Sequence, residues 1–179
     1  MKNKVGLVLA LMVVNLSVFG QKLICKKGEV SFFSETPMEN ISAVNKNAVA
    51  VIDEATNGVA VKITNTDFSF PNKLMQEHFN ENYMESEKYP TATFSGKINE
   101  TIDYSRAGSY NVSATGTMNM HGVKKPMTLK GVLKITDSGA LLDTNFDIKL
   151  ADFKIDIPTI VIAKIAEVIS VKAHLEFTK

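Results

Sequence analysis

Strict alternation of apolar and polar side chains most narrows what this chain can fold into. Tyr110, Val112, Ala114, Gly116, Met118 and Met120 alternate with Asn111, Ser113, Thr115, Thr117 and Asn119. A period of two marks a strand with one buried face. It recurs at Met127, Leu129, Gly131, Leu133 and Ile135, then at Ala140, Leu142, Thr144, Phe146, Ile148 and Leu150. The last run is Ile169, Val171, Ala173, Leu175 and Phe177. Shorter strands are expected around Val30 and Phe32, Val49 and Val51, Val59 to Ile63, and Ala92 to Ile98. After Asp67 the apolar positions switch to Phe68 and Phe70, which predicts a bulge or bend at Asn65–Asp67. Asn57-Gly58, Arg106-Ala107-Gly108 and Asp137-Ser138-Gly139 supply turn chemistry between strands.

Two segments interrupt the alternation. Leu74, Met75, His78, Phe79, Asn82 and Tyr83 are spaced as one face of a helix, with Pro71 near its start and Pro90 as its stop. Pro158 to Ala166 is apolar and short, and reads as a second helical segment or a capping loop. The fold class is therefore mainly β, an antiparallel meander of about eight strands that must roll into a barrel or split into a sandwich. The inward set includes Gly96, Ala114, Gly116, Gly131, Ala140 and Ala173. Small inward residues either leave room for an apolar ligand or let the sheet coil tightly around a packed core.

Residues 1–20 read as a separate element. Lys2 and Lys4 precede an apolar run from Val5 to Val14, and Gly20 stands at the expected cut. This is the pattern of a secretory signal peptide, too short to span a bilayer comfortably. The expectation is an exported chain, periplasmic or secreted and not integral to the membrane, with residues 21–179 as its one domain. Without the leader, 18 basic side chains face 19 acidic ones, and Arg106 is the single arginine. That balance leaves no electrostatic footprint for nucleic acid. Cys25, the one cysteine, forms no internal disulfide and reads as a small buried strand residue.

Motifs for chemistry are sparse. His78, His121 and His174 show no two-histidine ligand spacing, so no metal site and no cofactor are expected. His121, before Gly122, reads as a turn histidine bonding locally. His174 alternates outward, and His78 falls on the apolar helix face. Glu77, Glu81 and Glu85 fit a solvated helix face. There is no phosphate loop, nucleophile elbow or dinucleotide fingerprint, so no catalytic residue is nominated.

Two stretches carry a family likeness. Lys88-Tyr89-Pro90-Thr91-Ala92-Thr93-Phe94 resembles the Tyr-Pro-x-x-x-Phe signature of the YceI-like proteins. Gly116 to Pro126 (Gly-Thr-Met-Asn-Met-His-Gly-Val-Lys-Lys-Pro) resembles their Gly-x-Leu-x-Ile-x-Gly-x-x-Lys strand and turn. The likeness runs from about Gly28 to Phe177. It implies a lipocalin-like antiparallel barrel that binds a long-chain apolar lipid, such as an isoprenoid or fatty-acyl chain, in a central cavity. The family's Arg-Asp-x-His-Leu stretch has no full counterpart here: Leu74-Met75-Gln76-Glu77-His78-Phe79 lacks the Arg-Asp pair. With a single arginine in the chain, this argues against a diphosphate head group.

These readings nominate Phe68, Phe70, Phe94, Met118, Met120 and Phe146 as cavity lining. Leu74 and Phe79 are expected to close one end from the helix, and His78 is the head-group candidate. A packed barrel acting through its surface, as a stress-related or redox-partner module, is the competing function. An enzyme using His78 or His121 is the third. Exposed edge strands would allow a homodimer.

Overall fold

The computed structural model describes residues 21–157 and 165–179. The chain forms a closed eight-stranded antiparallel barrel in sequence order. Its strands are β1 (Lys22–Glu35), β2 (Asn40–Asp53), β3 (Gly58–Thr64), β4 (Thr91–Ile98), β5 (Gly108–Met120), β6 (Val123–Thr136), β7 (Gly139–Lys149) and β8 (Val168–Thr178). β1 pairs with β8 to complete the circle. That closure takes up the two edges on which a dimer would most simply have formed.

Alternation places the expected residues inward along β5 to β8, and β2 departs from it. Its buried positions are Ala43 and Asn45, then Ala48, Ala50 and Ile52, so the parity changes between them. Asn45 Oδ1 accepts from the Asn47 N–H at 2.8 Å, and the β1–β2 register shifts on either side of Gly28. This irregularity turns Val49 outward, and small alanines occupy the wall instead. At the expected bend, Asn65–Asp67 forms a 3-10 turn.

The helix is shorter than its prolines imply. α1 (Lys73–His78) is capped by Asn72, whose side chain accepts from the Leu74 N–H. A π turn follows over Phe79–Tyr83. Helical geometry ends there, well before Pro90, because Glu85 takes a left-handed conformation (φ 43°) and begins a turn to Tyr89. Glu85 thus leaves the helix face on which its spacing had placed it. The second helical segment expected at Pro158–Ala166 lies largely outside the described residues. So do residues 1–20, which the sequence reads as a leader.

The barrel is filled unevenly. One end is packed by Leu23, Cys25, Ile52, Ile98, Leu133, Leu175 and Phe177, and covered by Ile102 and Tyr104 from the β4–β5 connection. Gly96 and Gly116 pair directly between β4 and β5. A Cβ on either would come within 3 Å of the other's backbone. These two glycines serve close strand approach. Gly131 likewise lies against the Asp143 carbonyl of β7, whereas the small residues Ala92, Ala114 and Ala173 border open space. Both readings of the small inward residues hold, at different heights of the barrel.

Candidate functional site

The other end of the barrel contains a cavity of about 390 Å³. Its walls come from the C-terminal halves of β1, β3, β5 and β7 and the N-terminal halves of β2, β4 and β8. Helix α1 and the π turn lie at its mouth. A smaller space of about 80 Å³ continues inward, and both are bordered by Val30, Ile63, Ala92, Met118 and Phe146. The two lie end to end along the barrel axis, and the larger is within the size range of ligand cavities.

Aromatic rings organise the mouth. Phe32 of β1 stacks on Phe79 at 5.6 Å and meets Phe68 and Phe70 edge-on at 5.4 and 5.8 Å. Phe79 also contacts Phe68 at 5.5 Å and Phe70 at 5.1 Å. Such ring pairs add to area burial and fix the helix against the barrel. The 3-10 turn and the phase change after it are what bring Phe68 and Phe70 to this cluster.

The residues nominated from sequence distribute as follows. Phe68, Phe70, Phe79, Met118, Met120 and Phe146 border the main cavity. Phe94 borders the inner space and not the main one. Leu74 lies at the mouth and is 56% exposed, so it rims the opening and does not seal it. His78 is also exposed at the mouth, beside Asn72 and Met75. Sequence reading passed over Phe32, Tyr83, Met84, Ile155 and Ile165. Phe32 was recoverable from its alternation with Val30. Ile155 and Ile165 lie outside regular strands, where no periodicity marks an inward side chain.

Polar groups on the cavity wall are few. The Ser34 hydroxyl accepts from the Ala166 N–H at 2.9 Å. Asn65 is 1% exposed, and its Nδ2 donates to the Tyr89 carbonyl at 2.6 Å, while its Oδ1 has no hydrogen-bond partner. Glu39 and Asn72 stand at the opening. Among the described residues no lysine or arginine borders the main cavity, and no group of three His, Cys, Asp or Glu could hold a metal.

The two sequence motifs meet beside this cavity. His121 and Gly122 form the two-residue turn between β5 and β6, with φ of 51° and 72°. Both positive values are what a type I′ hairpin turn requires. His121 Nδ1 donates to the Phe153 carbonyl at 3.0 Å, and Nε2 lies 2.8 Å from Glu85 Oε2. The Tyr89 ring packs edge-on to His121 at 4.7 Å and lies against Gly122, where a Cβ would come within 2.6 Å of it. His121 is thus a turn residue, but its bonds are long-range. They tie the β5–β6 turn to the segment after the helix and to the 3-10 turn Leu150–Phe153. Both ring nitrogens are occupied, so this imidazole offers no free atom to a substrate. Cys25 lies at the packed end, where burial pushes its thiol up. His174 lies on the outer face, bonded to Asp143 at 2.6 Å.

Residues 18–177 match the family model of the YceI-like domain. The chain belongs to the YceI-like family. The solved structures similar to this YceI-like chain share its barrel at low identity. A polyisoprenoid-binding domain from Saccharophagus degradans, implicated in plant cell wall breakdown, superposes with a TM-score of 0.75 at 13% identity, covering 89% of this chain and 98% of that one. BcnA of Burkholderia cenocepacia gives 0.70 at 18% identity, covering 83% and 95%. The Campylobacter jejuni YceI protein gives 0.58 at 22% identity, covering 74% and 80%. No curated protein matches the chain. At these identities the likeness establishes the YceI-like fold alone, and what the barrel holds is a matter for the geometry of its own cavity.

Proposed function

We propose that the barrel binds a long apolar lipid, an isoprenoid or fatty-acyl chain, non-covalently in its interior. The observation that carries this is the pair of adjoining cavities, bordered by Phe, Met, Ile and Leu side chains and open beside Leu74 and His78. Each methylene moved from water into such a space contributes about 0.8 kcal/mol. Affinity then comes from the chain, and a few polar groups at the mouth orient the head. With no described lysine or arginine on the main cavity wall, a neutral or weakly polar head fits better than a diphosphate. His78 and Asn72, at the opening, are the groups in place to meet it. The relative from Saccharophagus degradans, described as polyisoprenoid-binding, supports the same class of ligand.

Carriage of the lipid through the periplasm or outside the cell is part of this reading, supported by the leader-like residues 1–20. Among the described residues no helix is long and apolar enough to cross a membrane. A packed barrel acting only through its surface would not enclose 390 Å³ of apolar space. The test is extraction of the purified protein followed by mass spectrometry, with uptake of added isoprenoid alcohols and fatty acids measured in parallel. A co-purifying or readily captured apolar chain is expected. A protein that carries no lipid and takes up neither class would overturn the proposal.

A further inference from the structure

The barrel wall is not paired along its whole height. β6 and β7 pair from Thr136↔Gly139 to Gly131↔Thr144. Beyond that point, among the described residues, Val123–Lys130 pairs with β5 alone and Asn145–Lys149 pairs with β8 alone. The gap has defined borders. At its lower edge the Thr144 hydroxyl donates to the Lys130 carbonyl at 2.6 Å, a side-chain bond where the ladder stops. At its upper edge the 3-10 turn Leu150–Phe153 crosses from β7 to the β5–β6 turn. It is held there by the His121–Phe153 bond and the Lys125–Asp152 ion pair.

The inner cavity reaches this gap. Leu129, Lys130 and Gly131 from one lip, and Thr144 and Phe146 from the other, all border it. The inward side chains beside the gap, Met127, Leu129 and Phe146, are only partly buried. Leu133, Ile135 and Ala140, where the strands pair, are fully buried. The exposed lip is poorly suited to an added strand, because Pro126 lacks the N–H a ladder needs.

We infer that this gap is a second, lateral opening of the cavity, through which the far end of a chain longer than the cavity leaves the barrel. The inference rests on the lipid-binding reading above. A cavity open only at its mouth holds a longer chain only by pushing the head end out past Leu74 and His78. A cavity with a side window accepts it without that shift, and affinity levels off once the interior is full. The protein would then select for a minimum chain length and set no maximum.

The test uses farnesol, geranylgeraniol and solanesol, three isoprenoid alcohols of increasing length, in a fluorescence displacement assay. Asn145→Cys and, separately, Thr128→Cys place a thiol on the outer side of each lip, away from the cavity lining. A bulky maleimide on either covers the window, and buried Cys25 is left unmodified. Unlabelled protein is expected to bind solanesol at least as tightly as geranylgeraniol. Labelled protein should keep its farnesol affinity and lose solanesol affinity by roughly tenfold or more. Labelled and unlabelled forms with the same length dependence would overturn the window, as would rejection of solanesol by the unmodified chain. Failure of all three alcohols to bind any form is a different result: it overturns the lipid reading itself, and the window with it.

Discussion

Ile52, Ile98, Leu133 and Leu175, at one end of the barrel, are at most 2% exposed, whereas Leu74 at the other is 56% exposed. All five are large aliphatic residues, so composition does not separate them. Geometry does. At the packed end the strands approach closely and side chains from opposite walls fill the space. At the open end the walls stand apart, aromatic rings gather around the mouth, and a cavity remains. The same alternating pattern therefore builds a stabilising core at one end and a cavity wall at the other.

The largest expected contrast is in stability. Leu133→Ala at the packed end should cost about 2–5 kcal/mol, since the surroundings collapse only in part. Met118→Ala on the cavity wall removes fewer packing contacts and should cost clearly less, while changing lipid uptake. Denaturant unfolding together with a displacement assay measures both. Equal losses at the two sites, with uptake unchanged, would erase the distinction between the ends.

A smaller effect is expected where the open end is tied to its flanking segments. His121→Ala removes bonds to the Phe153 carbonyl and to Glu85. Leaving the buried Phe153 carbonyl without its donor should cost about 1–3 kcal/mol. Hydrogen exchange should show the loss concentrated in Met84–Tyr89 and Leu150–Phe153, with the packed end unaffected. Uniform loss of protection across the barrel would contradict a local tie.

How much of this contrast was legible in the sequence differs between the ends. Alternation along β5 to β8 identified the inward face because one-sided burial leaves a period of two. It misjudged β2, where the irregularity around Asn45 reverses parity and turns the larger Val49 outward. The phase change at Asn65–Asp67 was visible and delivers Phe68 and Phe70 to the mouth. The helix stop was misplaced because Pro90 signals the start of β4, while the helix ends earlier at the left-handed Glu85. Ile155 left no signal, and Ile165 sits in the apolar stretch noted at Pro158–Ala166, where no period shows which way a side chain faces. The gap between β6 and β7 was equally hidden, because both strands alternate normally through it.

Two titrations sharpen the comparison further. Tyr104, over the packed end, donates to Asn57 Oδ1 at 3.0 Å. Burial first, then the nearby Glu54 and Asp53 charges, push its phenol up to about 12. The unfolded chain releases that proton near 10.0, so stability should fall as pH climbs from there toward 12. Spectrophotometric titration should show a tyrosine ionising near 12, and Tyr104→Phe should remove it. On the outer wall, His174 is raised by its bond to Asp143. Its contribution to stability is fully present below the unfolded imidazole value of 6.5 and is lost as pH rises through the raised folded value. Because the pair is exposed, the change should stay within about 1 kcal/mol. Asp143→Asn should return the His174 NMR titration toward its ordinary midpoint.

The most direct measurement is methyl NMR of the protein as an isoprenoid alcohol is added. The methyl groups of Met118 and Met120, on the cavity wall, should shift strongly and saturably, while those of Ile98 and Leu133 at the packed end stay in place. Shifts confined to exposed methyls such as Val132 and Ile24, or spread evenly over both ends, would contradict an interior binding site.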